Sequence, residues 1–301
     1  MSTPVTIELP EGVRRTTVES ARGTFAALEA LPASGVTELG TALLVPGYTG
    51  SKEDFITIID LLAGAGRRVL AIDMRGQYQT PGPDDPAAYS MENLGEDIAF
   101  LAEDTGTVHL LGHSFGGLVA REAMLTSGYL PASFTLLSSG PAAVPGKRAD
   151  DLRFFLDVAG AAPPDGLRAT VSEMWRTHFQ PQAEAAGVPE HIVAFCAERM
   201  LANNPAGLVA MAKDLLSAAD RTEELAKADI RTLVLYGEDD DAWPAAIQED
   251  MAVALGATRS CIPGAAHSPA VEAPTTTAQA LTDFWNAAEG VTAKAAKATR
   301  I

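Results

Sequence analysis

Short aliphatic runs alternate along this chain with stretches whose apolar residues recur at helical spacing. A run that is apolar at nearly every position is typical of a strand that is buried on both faces of a sheet. Strands that alternate with helices predict an α/β fold, in which helices cover both faces of a mainly parallel sheet. In such sheets, ligands bind beyond the carboxyl ends of the strands. The runs are Thr41–Val45, Arg68–Ile72, Val108–Leu111, Phe134–Leu137 and Thr232–Tyr236.

The N-terminal part has a different pattern. Val5–Leu9, Arg15–Ser20 and Thr24–Leu28 follow one another without helical stretches between them and predict three consecutive antiparallel strands. Further along, Ser90 is the expected N-cap of a helix that runs to about residue 103, and Gly128 is the expected C-cap of a helix over residues 118–127.

The alternation stops for about 85 residues between Pro145 and Asp229, where the pattern is helical and contains no convincing strand. This predicts one α/β core, formed by residues 1–145 and 229–301, with a helical insertion at residues 146–228. We expect the Ala/Lys-rich tail from Val291 onward to fray.

Composition excludes several classes of function. The formal net charge of the 301 residues is −17, which repels nucleic-acid backbones and anionic lipid surfaces. No run of 18 apolar residues could span a membrane, and the first residues lack the pattern of a secretory signal. We therefore expect a cytoplasmic protein with a small-molecule partner. The two cysteines, Cys196 and Cys261, are interpreted as small buried hydrophobic residues, since no motif supports a disulfide.

The segment Gly112-His-Ser-Phe-Gly-Gly117 carries the strongest chemical signal. It matches G-x-S-x-G and lies between a predicted strand and a predicted helix, the context that a nucleophile elbow requires. The turn would project the hydroxyl of Ser114 from the edge of the sheet at a helix N-terminus, which favours developing negative charge. The alternative is a serine that only caps the helix.

A serine needs a base to become a good nucleophile. Of the five histidines, His267 lies in a loop after the last short strand, at the edge where Ser114 is expected, and is our candidate base. His109 lies inside a strand and is expected to pack in the core, whereas His113 is expected to support the turn. His178 and His191 fall in the helical insertion, where surface or capping positions are expected.

The acid that orients such a base should also follow a strand. The stretch from Gly237 to Pro244 follows one and contains four carboxylates, and the pattern alone does not choose among them. A solvated acidic turn and a calcium loop are the alternatives for this stretch.

An oxyanion hole needs two backbone donors. One is expected after the nucleophile, and the other in the loop from Pro46 to Ser51, where Gly47 and Gly50 allow close approach to a substrate. A plain glycine turn is the alternative. The sequence shows no spacing typical of metal ligands and no phosphate-binding loop, so no metal and no cofactor are implied.

Together these segments resemble the α/β-hydrolase family over roughly residues 40–290. The family order is serine, acid, histidine, and its G-x-x-D-x-x-x-P pattern places the acid at Asp240. The segment from Pro263 to Pro269 is similar to the family's histidine loop. The resemblance thus implies catalytic Ser114, Asp240 and His267, with an oxyanion hole formed by the backbone N–H groups of Tyr48 and Phe115.

The resemblance also implies that the insertion at residues 146–228 is a lid over the site. Candidate residues for the apolar underside or core of that lid are Phe154, Phe155, Met174, Trp175 and Phe179. The chain departs from the family in two loops. Pro46-Gly47 replaces the usual His-Gly, and Arg75-Gly-Gln-Tyr-Gln-Thr80 replaces R-G-x-G-x-S, which implies an unusual pocket.

The resulting hypothesis is a carboxylesterase-like serine hydrolase. It would cleave an ester, thioester or lactone, preferably with an apolar acyl group, through an acyl-enzyme on Ser114. The alternatives are a non-catalytic protein of this fold that binds a small molecule, and an enzyme that uses the same triad for C–C cleavage or peroxide chemistry. The sequence does not specify the acyl group, the leaving group or the oligomeric state.

Overall fold

Eight strands form a single sheet in the computed structural model, which describes residues 2–163 and 166–290. The predicted tail from Val291 lies outside the described residues. All five aliphatic runs are strands. The strands are β1 (Val13–Ser20), β2 (Gly23–Ala30), β3 (Gly40–Val45), β4 (Arg67–Ile72), β5 (Thr107–His113), β6 (Ser133–Leu137), β7 (Arg231–Gly237) and β8 (Thr258–Ile262).

The sheet is mainly parallel, as predicted. Its spatial order is β1-β2-β4-β3-β5-β6-β7-β8, and β2 pairs antiparallel with both β1 and β4, whereas the remaining pairs are parallel. The prediction of a third N-terminal strand at Val5–Leu9 is wrong, because this segment has no strand partner. Ile7 packs instead against the helical insertion, and Leu9 packs against the core.

Helices cover both faces of the sheet. Along β3, Leu43 and Val45 contribute to the core on one face, and Ala42 and Leu44 contribute to the core on the other. This two-sided burial explains why the central strands are apolar at nearly every position. The core helices are α1 (Ile59–Gly64), α2 (Met91–Asp104) and α3 (Phe115–Ser127).

The two capping residues predicted from the sequence are present, one at the start of α2 and one at the end of α3. The Ser90 side chain accepts a hydrogen bond from the N–H of Asn93 and caps α2, and Gly128 ends α3 with a left-handed φ of 76°. Between β3 and β4 the chain forms a 3₁₀ turn at Lys52–Phe55, followed by α1.

The segment between β6 and β7 is helical, and the described residues from 146 to 228 contain no strand. A π-helical turn at Trp175–Phe179 joins two of the helices. Among the described residues, no helix of the chain combines the length and apolarity needed to cross a bilayer. The helices are α4 (Gly146–Gly160), α5 (Leu167–Met174), α6 (Gln180–Ala185), α7 (Glu190–Ala202), α8 (Pro205–Ser217) and α9 (Thr222–Lys227).

After the insertion, the chain completes the core with β7, β8 and the helices α10 (Ala245–Leu255), α11 (Pro269–Glu272) and α12 (Pro274–Glu289).

The two cysteines differ in their exposure to solvent. Cys196 is buried in the insertion, as predicted, but Cys261 is exposed, so its predicted burial is wrong. Cys261 belongs to β8, which lies at the edge of the sheet with only one neighbouring strand.

Arg199 anchors the insertion to the core. It is fully buried on α7, and its guanidinium donates to Oδ1 of Asp54 over 2.7 Å and to the carbonyl oxygen of Ser2. Burial raises the pKa of Asp54, while the nearby guanidinium opposes that rise. The pair therefore satisfies two charges that would be costly to leave alone in the interior.

Replacing Arg199 with alanine should lower the free energy of unfolding by about 3–5 kcal/mol, because Asp54 would stay buried without its partner. The control is Arg153→Ala, which breaks an exposed ion pair with Asp150 on α4 and should cost at most about 0.5 kcal/mol. Urea titration of both variants measures the difference. Equal small losses would contradict the anchoring role.

Candidate active site

Ser114 lies on a strained turn between β5 and α3. Its φ of 54° and ψ of −122° are rarely adopted by residues other than glycine, so the surrounding structure must hold the conformation in place. The flanking glycines are needed sterically, because a Cβ at Gly112 would overlap the backbone of Gly116, and a Cβ at Gly116 would overlap that of Pro46. The predicted elbow context is therefore present.

A chain of hydrogen bonds connects Ser114, His267 and Asp240. Nε2 of His267 lies 3.0 Å from Oγ of Ser114, and Nδ1 of His267 lies 2.9 Å from Oδ1 of Asp240. The three residues follow β5, β8 and β7, so three separate loops meet at the carboxyl edge of the sheet. In this arrangement the imidazole can accept the serine proton while the carboxylate fixes its tautomer.

Asp240 is the buried carboxylate of the acidic loop. Its Oδ1 accepts the N–H of Ala242 over 2.9 Å, and its Oδ2 accepts the side-chain amide of Gln248 over 2.9 Å. The other three carboxylates, Glu238, Asp239 and Asp241, are exposed. The structure therefore separates the four carboxylates that the pattern alone left equivalent.

Gln248 was not identified from the sequence. Its Nε2 also donates to the carbonyl oxygen of Trp243 over 2.7 Å, so the side chain connects the carboxylate to its own loop. An isolated glutamine on α10 carries no sequence signal that distinguishes it from a surface residue. The contact between Gln248 and Asp240 can be recognised only in the folded structure, where Gln248 is buried.

His113 contacts the backbone of the loop that carries His267. Its Nε2–H donates to the backbone carbonyl of His267 over 2.8 Å, and burial lowers the pKa of His113 to about 3. The ring is therefore neutral near pH 7 and acts as a hydrogen-bond donor that holds the histidine loop.

Among the described residues, the serine hydroxyl makes no hydrogen bond to another histidine. His109 is buried between Ser133 and Glu289, consistent with the predicted core position. His191 is exposed on α7. His178 is also exposed, but it lines the cavity described below, where its ring stacks on that of Phe154.

The loop after β3 passes directly over the serine. A Cβ at Gly47 would lie 3.0 Å from Cβ of Ser114 and 3.3 Å from the carbonyl oxygen of His113, so a side chain at this position would crowd the serine. Tyr48 follows in this loop, and Phe115 is the first residue of α3. Both residues that were predicted to supply oxyanion donors therefore flank Ser114.

A cavity of about 260 Å³ opens at Ser114 and His267. The insertion supplies much of its wall, including four of the five apolar candidates: Phe154, Phe155, Met174 and Phe179. The fifth, Trp175, is buried in the core of the insertion instead. Charged residues of α4, Lys147, Arg148 and Asp151, also border the cavity.

One group of side chains could in principle bind a metal ion. Potential ligand atoms of Asp240, Asp241 and His267 lie within 4.8 Å of one another. However, both oxygens of Asp240 and Nδ1 of His267 take part in the hydrogen bonds described above, and Asp241 pairs with Arg148 over 2.9 Å. The potential ligand atoms of these residues thus already have hydrogen-bond or ion-pair partners within the protein.

Comparisons with solved structures match the whole fold. An esterase from Thermogutta terrifontis has a TM-score of 0.67 and 21% identity, covering 92% of this chain and 99% of that chain. An enol-lactonase from Burkholderia xenovorans has a TM-score of 0.69 and 16% identity, covering 90% of this chain and 100% of that chain.

Sequence comparisons are consistent with this fold. The bifunctional esterase/perhydrolase DCH of Acinetobacter calcoaceticus is 29% identical over 262 residues, which cover 76% of this chain and 86% of that protein. Two further curated relatives match only locally, over 37% and 27% of their own lengths. The model of the alpha/beta hydrolase family matches residues 42–280, which is most of the chain. The chain therefore belongs to the alpha/beta hydrolase family.

Proposed function

We propose that this protein is a serine hydrolase that cleaves a carboxylic ester, thioester or lactone through an acyl-enzyme on Ser114. The observation that supports it most directly is the continuous hydrogen-bond chain from Oγ of Ser114 through both ring nitrogens of His267 to Asp240. A serine that merely capped a helix would not need this chain, and the Ser114 side chain makes no capping hydrogen bond to α3.

The first half-reaction forms the acyl-enzyme. Oγ of Ser114 attacks the carbonyl carbon while Nε2 of His267 accepts the hydroxyl proton, and Asp240 stabilises the resulting imidazolium. The N–H groups of Tyr48 and Phe115 stabilise the negative charge on the carbonyl oxygen. Collapse of the intermediate breaks the bond to the leaving group, which takes the proton from His267.

The second half-reaction releases the acyl group. A water molecule attacks the ester carbon of the acyl-enzyme, His267 accepts its proton, and Oγ of Ser114 leaves with that proton. The products are the free acid and the regenerated serine, so water is the only other reactant and no cofactor is required.

The cavity favours a substrate with an apolar part. Its wall includes Phe154, Phe155, Met174, Phe179 and Leu208, and all of them belong to the insertion. The insertion therefore acts as a lid that lines the acyl pocket. Specificity would then depend mainly on these side chains, whereas the charged residues of α4 would contact only the outer end of a substrate.

A second candidate is perhydrolysis, favoured by the likeness to the esterase/perhydrolase DCH. Hydrogen peroxide would then replace water as the acyl acceptor and the product would be a peracid. Peracid formation from an ester and hydrogen peroxide, compared with acid formation in water, distinguishes the two activities.

We expect a fluorophosphonate probe to label Ser114, and Ser114→Ala to lower the hydrolysis of short p-nitrophenyl esters by at least about 10³-fold, because the nucleophile is lost. Mass spectrometry and initial rates measure these effects, with Ser34→Ala, an exposed serine, as the control. An active Ser114→Ala protein would refute the proposal. A protein whose function is binding alone would escape labelling and would keep its ligand affinity in Ser114→Ala.

Asp240→Asn should lower kcat by about 10²–10⁴-fold, because a neutral amide neither holds the required tautomer nor stabilises the imidazolium. Asp239→Asn is the matched control, since that side chain is exposed one position earlier, and it should keep kcat within about threefold of wild type. Steady-state kinetics with the same esters measures both. A larger loss for Asp239→Asn than for Asp240→Asn would contradict the proposal that Asp240 is the catalytic acid.

A further inference from the structure

Gln77 is a buried side chain in one of the two loops where this chain departs from its family. The loop follows β4, and Gln77 bridges it to the loop after β3. Its Nε2 donates to the carbonyl oxygen of Gly47 over 2.9 Å, and its Oε1 accepts the N–H of Met74 over 3.2 Å.

The orientation of this amide is determined by its partners. A backbone carbonyl can only accept a hydrogen bond and a backbone N–H can only donate one, so rotating the amide by 180° would break both contacts. Gln77 therefore presents an N–H group to Gly47. The carbonyl oxygen of Gly47 also accepts the N–H of Gly50 over 3.0 Å.

The carbonyl of Gly47 and the N–H of Tyr48 belong to the same planar peptide group. The C=O and N–H bonds of a trans peptide point in opposite directions, so a donor that holds the carbonyl on one side also aims the N–H toward the other side. Hydrogen bonding to the carbonyl further polarises the peptide and strengthens its N–H as a donor.

We propose that Gln77 is a positioning residue that orients the Gly47–Tyr48 peptide so that the N–H of Tyr48 points at the developing oxyanion. This inference rests on the proposed function, because it assumes that Tyr48 contributes to the oxyanion hole. Gln77 is absent from the residues that line the cavity, so we expect it to act through the Gly47–Tyr48 peptide rather than through contact with the substrate.

Contacts with the insertion keep the loop of Gln77 in place. The backbone N–H of Asn204 donates to the carbonyl of Gly76 over 2.8 Å, and the N–H of Tyr78 lies 3.3 Å from Oδ1 of Asn203. Residues on both sides of Gln77 are thus held by the connection between α7 and α8. Because its own loop is held in place, the Gln77 side chain can fix the position of the Gly47 carbonyl to which it donates.

The test is Gln77→Met, which keeps the length of the side chain but removes both the amide donor to Gly47 and the amide acceptor for the N–H of Met74. We expect kcat for p-nitrophenyl esters to fall about 10–100-fold with KM within about threefold of wild type. This is less than the loss of an entire oxyanion donor, because Gly50 still holds the carbonyl. Gln79→Met is the matched control, since Gln79 is exposed in the same loop, and it should leave both constants unchanged.

Gln77→Glu is a second variant in case the methionine impairs folding. The carboxylate keeps an acceptor for the N–H of Met74 but places an oxygen against the Gly47 carbonyl, so kcat should fall at least as far as in Gln77→Met. The low-field proton resonance of the His267–Asp240 hydrogen bond should stay unchanged in both variants, which separates a misaligned oxyanion hole from a damaged triad.

A kcat within threefold of wild type in both variants would overturn the inference, as would a loss that appears only in KM. Failure of both variants to fold would assign Gln77 to structural stability and would also overturn it. If the wild-type protein does not react with esters or with fluorophosphonate, the proposed function itself is contradicted. If the wild-type protein is active but its activity does not depend on Gln77, only the present inference is contradicted.

Discussion

The strained backbone at Ser114 is the constraint on which the site depends. A residue with φ of 54° and ψ of −122° can stay in place only if its neighbours leave no alternative. Here β5 holds the residues before it, α3 holds those after it, and the loop of Gly47 packs against its Cβ position. The hydroxyl is thereby fixed where the loops of His267 and Asp240 reach it, and the hydrogen-bond chain follows from that placement.

The fold was predictable wherever one local rule determined the outcome. Two-sided burial makes β3 to β7 apolar at nearly every position, so the parallel sheet could be recognised. Ser90 and Gly128 mark helix ends through capping and left-handed geometry, which depend on adjacent residues only. The turn at Ser114 was predictable because the elbow is a local motif, and the location of His267 because its loop follows a strand. Asp240 required the resemblance to the family, since its neighbours offer the same carboxylate.

Features set by long-range contacts could not be predicted. Gln77 and Gln248 matter through partners in other loops, and nothing next to them in the sequence shows those partners. The segment at Val5–Leu9 has the composition of a strand, but its neighbours in the fold offer no strand partner. Cys261 has apolar neighbours in the sequence, like a core residue, but it is exposed because β8 lies at the edge of the sheet. In each case the environment of the residue depends on where another part of the chain lies in the fold.

The proposed reaction requires the N–H groups of Tyr48 and Phe115 and the hydroxyl of Ser114 to act on one carbonyl group. A crystal structure of the protein inactivated by an alkyl p-nitrophenyl phosphonate tests this most directly, because the adduct mimics the tetrahedral intermediate. We expect a covalent bond to Oγ of Ser114, with the phosphonyl oxygen about 2.7–3.1 Å from both N–H nitrogens. A phosphonyl oxygen directed away from both nitrogens, or an adduct on another residue, would contradict it.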